Sequence, residues 1–202
     1  MSHEAIEKNV SLMAVLIVLV ISIAGLAEIL PLVFQKQLVG QPAKGIKPYD
    51  ALALAGRDIY VREGCYNCHS QHIRPFLSET ERYGAFSVAG ESVYDRPFQW
   101  GSKRTGPDLA RVGGRYSDQW HTVHLMNPRD LVPESNMPAY PWLATAEVDA
   151  QMIKRKLKRL QMIGDPYTQA DIEGAAALVQ GKTELQALIY YLQGLGIARS
   201  QR

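Results

Sequence analysis

The chain has 202 residues, 47% of them hydrophobic and 21% charged, with a formal net charge of +2. That length suits one ordinary domain plus an appendage. So even a charge balance excludes the basic footprint of a nucleic-acid-binding protein, and two cysteines are too few for a disulfide-built scaffold.

The first element is apolar. From Val10 to Phe34 the sequence reads VSLMAVLIVLVISIAGLAEILPLVF, with Glu28 as its single charge. As a helix it would reach roughly 38 Å at about 1.5 Å per residue. That is enough to cross the roughly 30 Å hydrocarbon core of a bilayer with some tilt. Residues 10–34 are therefore expected to form a transmembrane anchor behind a short N-terminal segment, 1–9. A cleaved signal peptide competes with this reading, because Ser22-Ile23-Ala24 resembles a small-residue cleavage site. The leader carries Glu4 and Glu7 and makes a poor positive n-region, so an uncleaved anchor is preferred. Pro31 is expected to kink or end the helix near its second interface. Glu28, one turn earlier, would snorkel to headgroups or face a partner subunit. Lysines are denser after the segment (Lys36, Lys44, Lys47) than before it (Lys8). Read literally, that bias keeps the larger part inside, although long domains cross largely regardless of charge.

Residues 35–49 combine Gly, Pro and Lys without a helical period and read as a linker. The remaining residues, 50–202, form the expected domain. Asp50 is a natural N-cap for the helix ALALAGRDIYVREG, which places Leu52, Ala55, Gly56, Ile59 and Tyr60 on one face. Gly64 stops it. Gly56 costs about 1 kcal/mol relative to Ala within a helix, which makes sense if a second helix packs against that bare backbone.

Directly after the stop comes Cys65-Tyr66-Asn67-Cys68-His69, the pattern of a c-type haem attachment site. Two thiols three positions apart can each add to one vinyl group of a haem, and the adjacent histidine can ligate the iron. Both cysteines of the chain are consumed, leaving none for a disulfide. A thioredoxin-like redox pair would want a βαβ setting, whereas the flanks look helical. A structural zinc site would need four ligands; His72, His121 and His124 could supply some, but not at finger-like spacing.

Residues 70–114 are irregular and aromatic (Tyr83, Phe86, Tyr94, Phe98, Trp100), as expected of loops and turns with room for a small hairpin. Ser117 to Met126 reads as a short helix with Ser117 as N-cap. Its His121 and His124 lie three apart, where a metal or axial-ligand role competes with the commoner one of hydrogen-bonded surface histidines. A low-spin haem used for electron transfer needs a sixth ligand, and a methionine thioether is a frequent one that raises the potential. Of six methionines, Met1 and Met13 precede or lie in the anchor. Met152 and Met162 sit in a helix where core packing explains them, and Met126 follows the two histidines. Met137 lies in the turn-rich run PESNMP, backed by Pro138, and the local chemistry favours it. Thr145 to Ile163 reads as a basic amphipathic helix with Val148, Met152, Ile153, Leu157 and Leu160 inward. Its run 154–159 (KRKLKR) is a solvated face or a contact for an acidic partner or anionic lipid. A further short helix, about Gln169 to Gln180, follows Thr168. Thr183 with Gln186 then makes a capping box for a last helix with Leu185, Leu188, Ile189 and Leu192 in a stripe beside Tyr190 and Tyr191. That helix, stopped by Gly194 and Gly196, is the expected partner of Gly56 and Tyr60.

The order of Gly56 and Tyr60, CYNCH, Met137-Pro138 and a final helix ending near Tyr191-Leu192 resembles a class I cytochrome c domain. The fold expected is therefore all-α: a single N-terminal transmembrane helix plus a class I cytochrome c domain with loop insertions. More closely, the chain resembles the monohaem subunit II of cbb3-type haem–copper cytochrome c oxidases. The segments that carry this are the anchor, GCYNCHSQHIRP, WGSKRTGPDLARVGGRYSDQWH and HLMNPRDLVPESNMPAYPWL. The resemblance implies one covalently bound haem c on Cys65 and Cys68, with His69 and Met137 as axial iron ligands and no catalytic residue in the chain itself. It implies a place in the bacterial cytoplasmic (inner) membrane with the C-terminal domain on the periplasmic side. Electrons would arrive from a dihaem cytochrome c subunit and pass to the catalytic haem–copper subunit, where oxygen is reduced and protons are pumped. Membrane lipid is the other contact, and no nucleic acid is implied. The loop from Trp100 to Asp108, with Lys103 and Arg104, is an expected docking surface over the catalytic subunit. The small subunit of a cytochrome c-dependent nitric oxide reductase has the same anchor-plus-monohaem layout and is the alternative. A free-standing anchored cytochrome and an assembly subunit with an incidental haem are the other readings.

Overall fold

The computed structural model describes residues 3–34 and 41–197, which fall into two compact units, Met1–Gln41 and Pro42–Arg202. The division lies within the expected linker; its residues 35–40, Lys36 among them, and the chain end 198–202 lie outside the described residues. Among the described residues there are eight α-helices and several 3₁₀ turns, and the fold is all-α as expected. Among the described residues the hairpin allowed for in 70–114 is absent, and the one strand-like pairing is an isolated antiparallel bridge between Glu147 and Thr183.

The first unit holds α1 (His3–Glu7) and α2 (Val10–Phe34). The Asn9 side chain accepts a hydrogen bond from the Leu12 N–H at 3.0 Å and caps α2. Pro31 does not end the helix; it sits inside, in the last turn, with three residues after it. Val10–Leu32 is long and apolar enough to cross a membrane. Its large aliphatic side chains, from Val15 and Val18 to Ile29 and Leu32, are exposed in the unit. A helix apolar all round and uncovered belongs in hydrocarbon or against another apolar surface.

The second unit is organised by the crossing of α3 (Ala51–Arg62) and α8 (Glu184–Gly194). Asp50 and Thr183 cap them as the sequence predicts, Asp50 accepting from Ala53 N–H and Thr183 from Gln186 N–H. At Gly56 the approach is so close that a Cβ there would lie 2.0 Å from the Ala187 carbonyl oxygen. Tyr60 and Tyr191, both fully buried, pack on each other with ring centroids 5.7 Å apart. Gly64 leaves α3 through a left-handed turn at φ 72°, which glycine adopts without strain, and so delivers Cys65.

Other elements fill in around that crossing. α4 (Leu77–Tyr83) is a helix where the sequence predicts loop. α5 (Asp118–Met126) starts at its Ser117 cap. α6 (Ala150–Met162) begins five residues later than the predicted Thr145, because Asp149 is the residue that caps it, accepting from the Gln151 and Met152 N–H groups. Residues Pro141–Ala144 form a 3₁₀ turn instead. α6 buries Ile153 and Leu157, while Met152, predicted inward, is 47% exposed. α7 (Gln169–Val179) packs against α6 and α3. Arg57 is a buried charge within α3; its guanidinium donates to Asp95 at 2.6 Å and to the Pro97 carbonyl at 2.6 Å. Removing one partner of such a pair costs about 3–5 kcal/mol, so this contact fastens the irregular 85–100 stretch to α3.

Candidate functional site

The residues Cys65 to His69 sit on a 3₁₀ turn directly after α3. Cys65 is half-buried against the core and Cys68 is exposed. Burial, with Glu63 and Cys68 adding to it, pushes the Cys65 thiol up to about 12. Redox-active Cys-x-x-Cys pairs need the opposite, a lowered thiol pKa, so the environment argues against the thioredoxin-like reading. Among the described residues no group of three or more His, Cys, Asp or Glu side chains is placed to hold a metal ion.

His69 is positioned from three sides. The Tyr60 hydroxyl, carried by α3, donates to the His69 carbonyl at 2.6 Å. The segment 104–109 runs alongside, with the Gly106 N–H donating to the Cys68 carbonyl at 3.0 Å and the Leu109 N–H to the Ser70 carbonyl at 2.9 Å. His69 Nδ1 then lies 2.8 Å from the Pro107 carbonyl oxygen. A carbonyl only accepts, so that contact puts the ring proton on Nδ1 and leaves the Nε2 lone pair for a ligand. Burial keeps the imidazole below its ordinary pKa, partly offset by the Pro107 contact and by Asp108, so the neutral, ligating form is favoured. Gly106 is essential to this packing: a Cβ there would stand 2.3 Å from His69 Cε1.

The clamp is itself braced. Asp108 accepts from the Ser70 hydroxyl at 2.5 Å and from the His72 N–H at 2.9 Å. Arg104 donates to Ser70 Oγ at 2.6 Å, the His72 carbonyl at 2.7 Å and Glu79 at 2.8 Å. Arg74 also pairs with Glu79. The two guanidinium groups, with the Arg74 N–H, hold the Glu79 carboxyl down at about 2, Arg104 contributing most and burial opposing. Arg104 was expected at a docking surface. It is instead an internal brace, tied to four partners; Lys103 beside it is exposed. His72 stacks on Trp100 at 4.3 Å, nearly parallel.

Met137 is half-buried and packs against the core rather than standing exposed. Its loop is tied to α5 by the Tyr140 N–H, which donates to the Leu125 carbonyl at 2.9 Å. Burial raises the Tyr140 phenol, and Cys65 and Cys68 raise it further, so the loop stands near the cysteine pair. α5 brings two more imidazoles to the same region. Burial lowers His124, and His69 and His121 lower it further. His121 Nε2 and His124 Nδ1 are both buried without a hydrogen-bond partner. Elsewhere a cleft of about 610 Å³ is lined by Tyr49, Asp95, Tyr191 and Arg111, and none of the residues 65–69 reaches it. It offers no cysteine, histidine or methionine.

The residues present fit a c-type haem: paired thiols, a neutral histidine with a free Nε2, a methionine loop nearby, and unsatisfied imidazole nitrogens on α5. The all-α fold is consistent with a cytochrome c, and the N-terminal apolar helix fits a membrane anchor. No match to the chain was found among curated proteins. The family model for the cytochrome c oxidase mono-haem subunit, FixO, matches residues 3–183, nearly the whole chain, and the protein belongs to that family.

Proposed function

We propose that this subunit carries one covalent haem c and relays electrons within a cbb3-type cytochrome c oxidase. Cys65 and Cys68 form the thioether links, His69 is the proximal ligand through Nε2, and Met137 is the distal ligand. When bound, the haem supplies reversible one-electron exchange at an iron whose potential the thioether raises. The chain does the rest. The Pro107 carbonyl fixes the His69 tautomer, Gly106 allows the close packing that orients the ring, and the Arg104–Glu79–Asp108 brace holds both in place. Rigid placement matters because an electron carrier works by keeping its metal at one potential and one distance from its neighbours. The second unit lies on the periplasmic side of the inner membrane, with α2 as its anchor. A dihaem cytochrome c subunit donates and the catalytic haem–copper subunit accepts.

The observation that carries this reading is the His69 Nδ1 contact with Pro107, which leaves the other ring nitrogen free beside two thiols. The test is a denaturing gel stained for haem peroxidase activity. Colour should stay with the polypeptide in the wild type and be lost in Cys65→Ala/Cys68→Ala. An unstained wild-type band rejects covalent attachment. Consumption of oxygen rather than nitric oxide by the purified complex separates the oxidase from the nitric oxide reductase alternative.

A further inference from the structure

α5 holds an imidazole that the proposed ligand set leaves unused. His124 Nδ1 is buried and has no hydrogen-bond partner, an arrangement that is costly when nothing compensates it. One face of its ring is fixed by stacking on Trp120, with centroids 4.6 Å apart and planes 18° from parallel. Trp120 is backed in turn by Tyr116 at 4.0 Å. The residue after His124, Leu125, accepts the hydrogen bond from Tyr140 that anchors the Met137 loop, so imidazole and thioether are carried on linked elements. His69 lies close enough to act electrostatically on His124. His69 and His124 thus lie in one region, and the methionine loop is tied to the helix that carries His124.

We propose that His124 is a reserve axial ligand, which takes the iron when the Met137 thioether is withdrawn and so keeps the metal six-coordinate and closed to small ligands. The inference rests on the haem and Met137 assignments made above. The exchange moves no electron: the iron–sulfur bond is lost, an iron–nitrogen bond forms from the lone pair of a neutral imidazole, and the ring proton stays on the other nitrogen. Stacking on Trp120 limits the entropy lost in capture, because the ring is already ordered. The role suits a subunit of an oxygen-consuming complex, where a five-coordinate ferrous haem would bind dioxygen at the wrong place.

The test uses the assembled holoprotein. Met137→Ala should remain low-spin with nitrogen ligands on both faces, seen by electron paramagnetic resonance, and its reduced form should take up no added carbon monoxide. Met137→Ala/His124→Leu should be high-spin and bind carbon monoxide stoichiometrically. A high-spin Met137→Ala overturns the proposal. A double variant that stays low-spin also overturns it and passes the role to another group, His121 being the neighbour to replace next. If Met137→Ala leaves the wild-type spectrum unchanged, including any sulfur-to-iron charge-transfer band, the distal-methionine assignment has failed and the reserve role falls with it. Should the Met137 variants not accumulate, warming the wild type and His124→Leu decides the matter. Only the wild type should pass from thioether ligation to a low-spin all-nitrogen state; the same high-spin product from both would refute the inference.

Discussion

A methyl group at Gly106 would stand 2.3 Å from His69 Cε1. The histidine ring cannot swing away freely, because its Nδ1 is held by Pro107 and its backbone by Tyr60. Gly106→Ala is therefore expected to lose about 1–3 kcal/mol, the usual cost of overpacking, and to tilt the proximal imidazole. Thermal unfolding of the holoprotein reads the first effect, and a shifted haem spectrum the second. Glu79 makes a prediction with a sign. Its carboxyl falls from the ordinary value of 4.5 to about 2 in the fold. A depressed carboxylate contributes stability above its unfolded pKa and loses it as pH falls through the folded one. The melting temperature of the wild type should exceed that of Glu79→Gln by a few degrees at pH 7, and the gap should close between about pH 4.5 and 2. A gap independent of pH would mean that the charge is not what Arg104 and Arg74 respond to. CYNCH was legible in the sequence because its chemistry is local. The clamp was not, since Gly106 and Pro107 meet His69 across 37 and 38 positions, and nothing in their own neighbourhood announces it. Arg104 was misread for the same reason: composition marks a basic loop residue as surface, while three-dimensional pairing makes it internal.

Helix by helix, the caps were the most legible feature. Asp50, Ser117 and Thr183 each cap the helix expected of them, because a cap is a bond between a side chain and a backbone group two or three residues away; Thr168 caps the helix it precedes in the same way. Elements whose limits depend on partners were harder. α4 carries the Glu79 brace, and its short sequence LSETERY shows no apolar stripe that would mark it as a helix. The sequence pattern overextends α6 because Val148 continues its apolar period while the Val148 N–H pairs with the Lys182 carbonyl, beside the bridge to Thr183. The crossing of α3 and α8 was foreseen from Gly56, and it allows a test in which two scales of argument disagree in sign. Helix propensity alone predicts that Gly56→Ala stabilises α3 by about 1 kcal/mol. The crossing predicts the reverse, because the new Cβ would fall 2.0 Å from the Ala187 carbonyl and 2.6 Å from Tyr191 Cβ. Backbone cannot yield to that contact without separating the helices, so a net loss of about 1–3 kcal/mol is expected. Denaturant unfolding of the holoprotein would show it as a lower midpoint; a raised midpoint would remove the crossing as the organising contact of the unit.

For the whole molecule, the charge bias and the proposed haem chemistry point in opposite directions, and labelling from one side of the membrane decides between them. The short segment before α2 has Glu4, Glu7 and Lys8, whereas Lys44 and Lys47 follow the anchor. The positive-inside bias would hold the second unit in the cytoplasm. That bias governs short loops, and a folded unit running from Pro42 onward is long enough to cross regardless of it. The proposed electron delivery from a periplasmic donor would require the crossing. The two cysteines of the chain are assigned to thioether bonds, so an introduced one reports cleanly. Leu178 on α7 is 54% exposed in the second unit, and Glu4 is exposed in the first. In sealed spheroplasts a membrane-impermeant maleimide should label Leu178→Cys at once and Glu4→Cys only after lysis. The reverse pattern would put the site on the face where no periplasmic donor can reach it, and the relay role would fail even with the haem in place. A label on both before lysis would mean that α2 does not span the bilayer, because one crossing must leave the two positions on opposite sides.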